Sequence, residues 1–249
     1  MRFCAILLII LVFAGCAAHR QDKAKERAQL HLQIGIAHLS EGNYPAALTD
    51  LLAAEQLDPA NANIQNNLGL AYSVRSRWKE AEQHYRKALE IDGRFTDARN
   101  NLARLQIDTK RYDMAISNLM VVENDLTYPN PEKTYSLMGM AYFYKGKYKQ
   151  AEEYLAKSMN VHRDSCVAAN FYGRTLYEEK KLDEAAGVLD LAVENCRANK
   201  FDEPLFFSAM TYYSLGNKEK SKARVVELVN DYPQSQYYQK AKGLMGLLE

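Results

Sequence analysis

A small residue returns at a fixed interval along most of this chain. Gly35, Gly69, Ala103, Gly139, Gly173 and Ala209 follow one another at steps of 34, 34, 36, 34 and 36 residues. Twelve residues after three of these glycines stand Ala47, Ala81 and Ala151. Seven further on come Ala54, Ala88 and, as a variant, Ser158. Between the small residues, apolar side chains recur at three- and four-residue spacing, so each period holds two amphipathic helices. A small residue at position eight of the unit, and another at position twenty, lets the two helices approach closely. A larger side chain there would push them apart and leave voids. One helix pair cannot bury its apolar face alone, so the units must stack.

The punctuation agrees with that reading. Gly42-Asn43, Gly146-Lys147 and Gly216-Asn217 fall where the first helix of a unit turns into the second, and Pro59 and Pro233 end second helices. Tyr128-Pro129-Asn130-Pro131 is a longer break and accounts for one of the 36-residue steps. The spacing and the small-residue positions closely resemble the tetratricopeptide repeat over residues 28–235. The resemblance implies an all-α fold: a right-handed superhelix of six helix-turn-helix repeats at 28–61, 62–95, 96–131, 132–165, 166–201 and 202–235. Residues 236–249 then read as a terminal helix that caps the open face of the last repeat.

The first residues read as an address. Arg2 precedes an uncharged apolar run, Phe3–Phe13. About a dozen residues suit a signal-peptide core, whereas a spanning helix needs about 20. Ala14-Gly15-Cys16-Ala17 resembles the bacterial lipobox, with Phe13 where Leu is usual. That resemblance implies a signal peptide over 1–15, a lipid on Cys16 and a polar tether over 16–27. The alternative is ordinary secretion, with cleavage near Ala17 or Ala18. Residue 17 is Ala rather than Asp, which by the lipoprotein sorting rule implies an outer-membrane anchor with the body facing the periplasm.

Of the four cysteines, Cys4 lies in the leader and Cys16 in the lipobox, leaving Cys166 and Cys196. They stand at positions one and thirty-one of the fifth unit. In an antiparallel helix pair these positions share one end, so in an oxidising compartment a disulfide is expected. A pair of free, buried thiols is the alternative.

Composition argues for contact over chemistry. Lys and Arg number 32 and Asp and Glu 31, for a net charge of +1, so no global basic field exists to hold nucleic acid. No phosphate loop, nucleophile elbow or other catalytic constellation is recognisable, and the expectation is a protein without catalysis, cofactor, metal or small-molecule substrate. His31 and His38 lie seven apart on one helix. They occupy positions that pack on a neighbouring helix in this repeat, so satisfied, partly buried histidines are expected rather than a metal pair.

Binding should then lie on the concave side, which the repeat lines with positions 2, 5, 9, 12 and 13 of the first helix. The second and third units place Asn63, Asn66, Asp97, Asn100, Arg104 and Asp108 there. The fourth to sixth place Met140, Phe143, Tyr144, Arg174, Tyr177, Phe206, Met210 and Tyr213 there. Aromatics, Met and Arg are enriched at interface cores, and such a groove suits an extended segment or amphipathic helix of a partner. The competing expectation is that several of these aromatics pack on the next helix. Asp97 and Asp108 interrupt the Asn-rich stretch, so a carboxylate clamp is not expected.

A lipoprotein leader followed by six such repeats resembles the type IV pilus pilotins. Asn100-Asn101-Leu102-Ala103 and Lys110-Arg111-Tyr112-Asp113-Met114-Ala115 echo that family's third repeat, with Lys110 where Gly is frequent. The resemblance implies a lipoprotein that binds secretin subunits and promotes their localisation and multimerisation in the outer membrane. The alternatives are a scaffold for cell-wall hydrolases and a factor in outer-membrane barrel assembly. Tyr232-Pro233-Gln234-Ser235 resembles a signature of the last group but occurs once.

Overall fold

The computed structural model describes the backbone of residues 2–125 and 127–248 and the side chains of residues 20–125 and 127–248. The expectations for the leader and for Cys16 fall outside the described side chains. Thirteen α-helices and one short 3-10 turn, Arg197–Asn199, make up the described structure, with no strand among the described residues. No helix of the described residues is long and apolar enough to cross a membrane.

The chain divides into two compact units, Met1–Leu105 and Gln106–Glu249. The first unit holds α1 (Arg2–Ser40), α2 (Tyr44–Leu57), α3 (Ala62–Ser73), α4 (Trp78–Ile91) and most of α5 (Thr96–Asp108). The second holds the end of α5 and then α6 (Tyr112–Glu123), α7 (Pro131–Tyr144), α8 (Tyr148–Val161), α9 (Cys166–Glu178), α10 (Leu182–Cys196), α11 (Glu203–Ser214), α12 (Lys218–Asp231) and α13 (Tyr238–Leu248). Odd-numbered helices up to α11 are the first helices of the repeats. Residues 20–27, read as a tether, continue α1 and are mostly exposed. Burial begins at Ala28, which joins Leu32, Leu51, Ala54 and Ile64 in the first core.

Position eight is where the two helices of a pair touch. A β-carbon placed on Gly35 would lie 2.7 Å from Leu51 Cγ, and on Gly139 2.3 Å from Leu155 Cγ. Ala103 and Ala209, at the same register, are buried. At Gly35 and Gly139 the packing leaves no room even for a methyl group unless the facing leucine shifts, so the close approach of the helices follows directly from the small residues.

All six turns between paired helices share one conformation, although only three carry Gly. Gly42, Gly146 and Gly216 have φ of 74°, 70° and 76°. Ser76, Lys110 and Lys180 adopt φ of 58°, 61° and 65° at the equivalent places. In each turn the next N–H reaches back five residues, as in Arg77 to the Tyr72 carbonyl at 3.0 Å and Lys181 to the Leu176 carbonyl at 2.9 Å. This closure satisfies carbonyls at the helix end and holds even a side-chain-bearing residue in the left-handed region. The second helices end at Pro59 and near Pro233, and Asn61 caps α3 through bonds from the Asn63 and Ile64 amides. At the far end, Ala241, Leu244 and Leu248 of α13 close the core built by Leu205, Ala209, Val225 and Leu228, which gives the last hairpin its cap.

Candidate partner-binding groove

Cys166 opens α9 and Cys196 ends α10. The two are bonded, with Cα atoms 4.9 Å apart, so the hairpin that carries the middle of the groove is tied at one end.

Within the second unit, α7, α9 and α11 place their aromatic residues side by side. Arg174 on α9 sits in the middle. Its guanidinium carbon lies 4.6 Å from the Phe143 ring centre, 4.9 Å from Phe171 and 4.5 Å from Phe207. Its Nη1 donates to Glu203 Oε2 at 2.9 Å. The same oxygen accepts from Asn170 Nδ2 at 2.6 Å. The other oxygen of Glu203 accepts from the Tyr237 hydroxyl. Burial pushes the Tyr237 hydroxyl well above its usual range, and its bond to the Glu203 carboxylate adds to the effect. One carboxylate thus joins α9, α11 and the chain just before α13. A buried charge is tolerated only when paired and bonded in this way.

Around this cage the surface is aromatic and accessible. Tyr144 is 45% exposed and Tyr213 37%. Tyr144 stacks on Tyr112, with centres 5.7 Å apart, and meets Phe171 edge-on. Phe143, Tyr177 and Met210 are half-buried. Lys180 lies over the Tyr177 ring at 5.3 Å. These residues meet the geometric needs of an interface: rigid rings, some apolar area and few uncompensated charges.

Four residues expected to line the groove lie in the core instead: Asn66, Asn100, Met140 and Phe206 are buried. For Asn66 and Phe206 the physical reason is visible: both stand at position five, where the side chain meets the next element of the stack rather than open space. Asn66 Oδ1 accepts from Asn101 Nδ2 at 2.9 Å, and Phe206 stacks on Tyr237 at 4.8 Å. Arg104 in the first unit is exposed, and Asn63 is also exposed. Asn170, Glu203, Phe171, Phe207 and Tyr237 are parts of the cage that the sequence reading passed over. Asn170 and Glu203 stand at positions five and two of their units, so the repeat register held a signal for both. Tyr237 lies beyond the repeats and gave none.

His31 and His38 are accounted for within the first hairpin. His31 Nδ1 lies 2.9 Å from Asp50 Oδ1, and His38 Nε2 lies 3.9 Å from Asp50 Oδ2. No group of three His, Cys, Asp or Glu among the described residues could hold a metal ion. A polar network elsewhere in the second unit centres on Asp190, which accepts from Tyr212 at 2.6 Å, Arg224 at 2.8 Å and Ser208 at 3.0 Å. Burial raises the Asp190 carboxyl, but the bonds from Tyr212 and Arg224 outweigh it and hold the group below the usual carboxylate range.

Comparison with known proteins places this geometry. A family model described as TPR repeat matches residues 28–73, and models described as tetratricopeptide repeat match 62–95 and 136–200. The chain is 27% identical over 198 residues to the type IV pilus assembly protein PilF of Pseudomonas aeruginosa, covering 77% of this chain and 79% of that protein. The solved structure of Pseudomonas aeruginosa PilF matches at a TM-score of 0.75 and 25% identity, over 90% of this chain and 98% of that one. The crystal structure of PilW, described as a widely conserved type IV pilus biogenesis factor, matches at a TM-score of 0.77. It covers 86% of this chain and 97% of that one, and at 19% identity it speaks for the fold alone. The chain belongs to the tetratricopeptide-repeat proteins and is a homologue of the type IV pilus assembly protein PilF.

Proposed function

We propose that this protein is a pilotin: a non-catalytic lipoprotein that binds secretin subunits and promotes their localisation and multimerisation in the outer membrane. The observation that carries the reading is the similarity to PilF, which runs along most of both chains rather than through a few repeats. The repeat fold supports it, because stacked helix pairs offer a large preformed surface for a partner. In this reading the labour is divided. A lipid on Cys16 fixes the location, and several acyl chains make such an anchor effectively permanent. The aromatic surface of α7, α9 and α11 holds the partner. The Cys166–Cys196 bond suits an oxidising periplasm. No bond of the partner is broken. The secretin is held while subunits meet.

The test is genetic. The gene is deleted, and unboiled outer membranes are probed on a gel for the secretin. The expected result is loss of the high-mass multimer, restored by the wild-type gene and not by Cys16→Ala. Intact multimers and normal pili in the deletion strain would reject the proposal and direct attention to the cell-wall scaffold reading. Tyr144→Ala combined with Tyr213→Ala changes only exposed rings, so the chain should stay folded while partner pull-down weakens.

A further inference from the structure

The connection between α6 and α7, residues 124–130, is seven residues long, whereas those at 58–61, 92–95 and 162–165 are four long. It carries Tyr128-Pro129-Asn130, and Pro131 opens α7. Each proline fixes its own φ, which restricts the shapes open to this stretch. Beside it lies a cavity of about 180 Å³. Its walls include Val122 and Glu123 from the end of α6, Asp125 and Tyr128 from the connection, and Pro131 and Tyr135 from the start of α7. Glu123, Asp125, Tyr128 and Tyr135 are half-buried, so solvent reaches each of them. A water molecule needs only about 10–15 Å³ of such space, so the cavity admits the head of a long side chain. None of the groove residues lines it.

The walls select the charge of what enters. Two carboxylates and two phenol rings share this small space, and both kinds of group attract a cation. The helix ends do not decide the matter, because α6 ends here while α7 begins here and their dipoles oppose one another. Glu132 and Lys133 in the first turn of α7 cancel, as do Glu153 and Lys157, which pair on α8 at 2.9 Å. The surplus negative charge is that of Glu123 and Asp125. Both carboxylates are held in place by the chain itself. Glu123 Oε2 accepts from the Tyr154 hydroxyl at 3.1 Å, and Asp125 Oδ1 accepts from the Thr127 amide at 3.0 Å. Lys157 shows that a cation is stable beside these rings. Its Nζ lies 4.7 Å from the centre of Tyr154 and 6.0 Å from that of Tyr135. Its bond to Glu153 raises its pKa, and the Glu123 carboxylate adds to the rise. Held by Glu153, it stands next to the cavity without lining it.

Of the two long cationic side chains, arginine fits better. A guanidinium is flat and weakly hydrated, and it can lie on a ring while its N–H fork meets a carboxylate. An ammonium is a strongly hydrated point charge that loses more on entering a half-buried space. We infer that the cavity between α6 and α7 receives an arginine side chain from a partner segment, its guanidinium against the rings of Tyr128 and Tyr135 and the carboxylate of Glu123. This goes beyond the pilotin reading and does not rest on it. The site is separate from the aromatic groove and gives the protein a second point of attachment.

The probe is N-acetyl-arginine N-methylamide, a single arginine residue with both ends blocked. It is titrated into the isotope-labelled full chain in a non-ionic detergent, and amide resonances are followed. The amides of Asp125, Tyr128 and Tyr135 should shift together and saturate. The citrulline analogue has nearly the same shape without the charge, and should bind at least about tenfold more weakly, the loss of one charge-assisted hydrogen bond. The lysine analogue should also bind more weakly than arginine. Glu123→Gln keeps an oxygen for the Tyr154 hydroxyl but removes the charge, and should weaken arginine binding by a similar factor. Circular dichroism reports whether that variant remains folded, and the citrulline comparison needs no variant. Free L-arginine brings a carboxylate toward Glu123 and Asp125 and should bind no more tightly than the blocked form. Tighter binding of the free amino acid would assign the cavity to a small molecule and overturn the inference. Equal affinity for arginine and citrulline, a preference for lysine, undiminished binding by folded Glu123→Gln, or no saturable shift within residues 122–135 would each overturn it as well.

Discussion

The first helices of the two units use polar side chains in opposite ways. In the first unit they are bonded to neighbouring helices. Asn66 bonds Asn101, while Gln65 bonds both Glu55 and His84, with its amide donating at 2.9 Å and its oxygen 2.8 Å from the imidazole Nδ1. In the second unit, Arg174 is surrounded by rings and bonded through one nitrogen to Glu203, with its Nε buried. The same helix-pair geometry therefore supports a seam of amide hydrogen bonds in one region and a guanidinium clamped between rings and one carboxylate in the other. The lesson is that a polar residue at a groove position is not a binding residue until its own hydrogen bonds have been counted.

The comparison can be broken most forcefully at Glu203. Glu203→Ala strips the buried carboxylate from Arg174, Asn170 and Tyr237, and should cost on the order of 3–5 kcal/mol by urea unfolding. A loss below about 1 kcal/mol would mean that the cage is held by ring packing alone. Reducing the Cys166–Cys196 bond opens a loop whose ends are 30 residues apart and should cost about 3 kcal/mol, read as a lower Tm in reductant. Asn66→Ala in the first unit leaves Asn101 short of one acceptor and should cost about 1 kcal/mol, a smaller loss than at Glu203.

The electrostatic and backbone effects are smaller. Asp190 has its folded pKa depressed, so its contribution is complete above the unfolded carboxylate value of about 3.9 and disappears as pH falls through the lower folded value. Asp190→Asn should flatten that acid limb in a pH series of unfolding midpoints, and an unaltered limb would show that other carboxylates set it. The smallest change expected is a gain. Lys180→Gly relieves a left-handed residue that carries a side chain and should leave stability level or raise it by up to about 1 kcal/mol. The same substitution at Lys110 provides a second measurement.

Much of the architecture was legible because it is periodic. The position-eight glycines and alanines mark every helix pair, and the structure puts Gly35, Gly69, Gly139 and Gly173 against their partner helices, as with Gly69 beneath the Tyr85 ring. Less was legible in the turns. Gly42, Gly146 and Gly216 announced a left-handed residue, but Ser76, Lys110 and Lys180 carry no such signal. There the helix-end hydrogen bonds impose the conformation against local preference. The groove was legible in its residue types and not in its membership. Tyr144 and Tyr213 are on the surface, whereas Met140 and Phe206 are core, because the distinction depends on which neighbour covers each face.

The amino-acid sequence alone determined the repeat, the helix pairs, the close approach within each pair and the two cysteines available to one hairpin. These follow from local spacing, since side chains a few residues apart on a helix share a face and small residues admit a neighbour. Only the tertiary structure decided that Arg174 would stand between Phe143 and Phe207 and pair with Glu203. Those partners lie about one repeat away along the chain on either side. They meet because neighbouring hairpins stack, and the donors left over after stacking cannot be counted until every neighbour is in place.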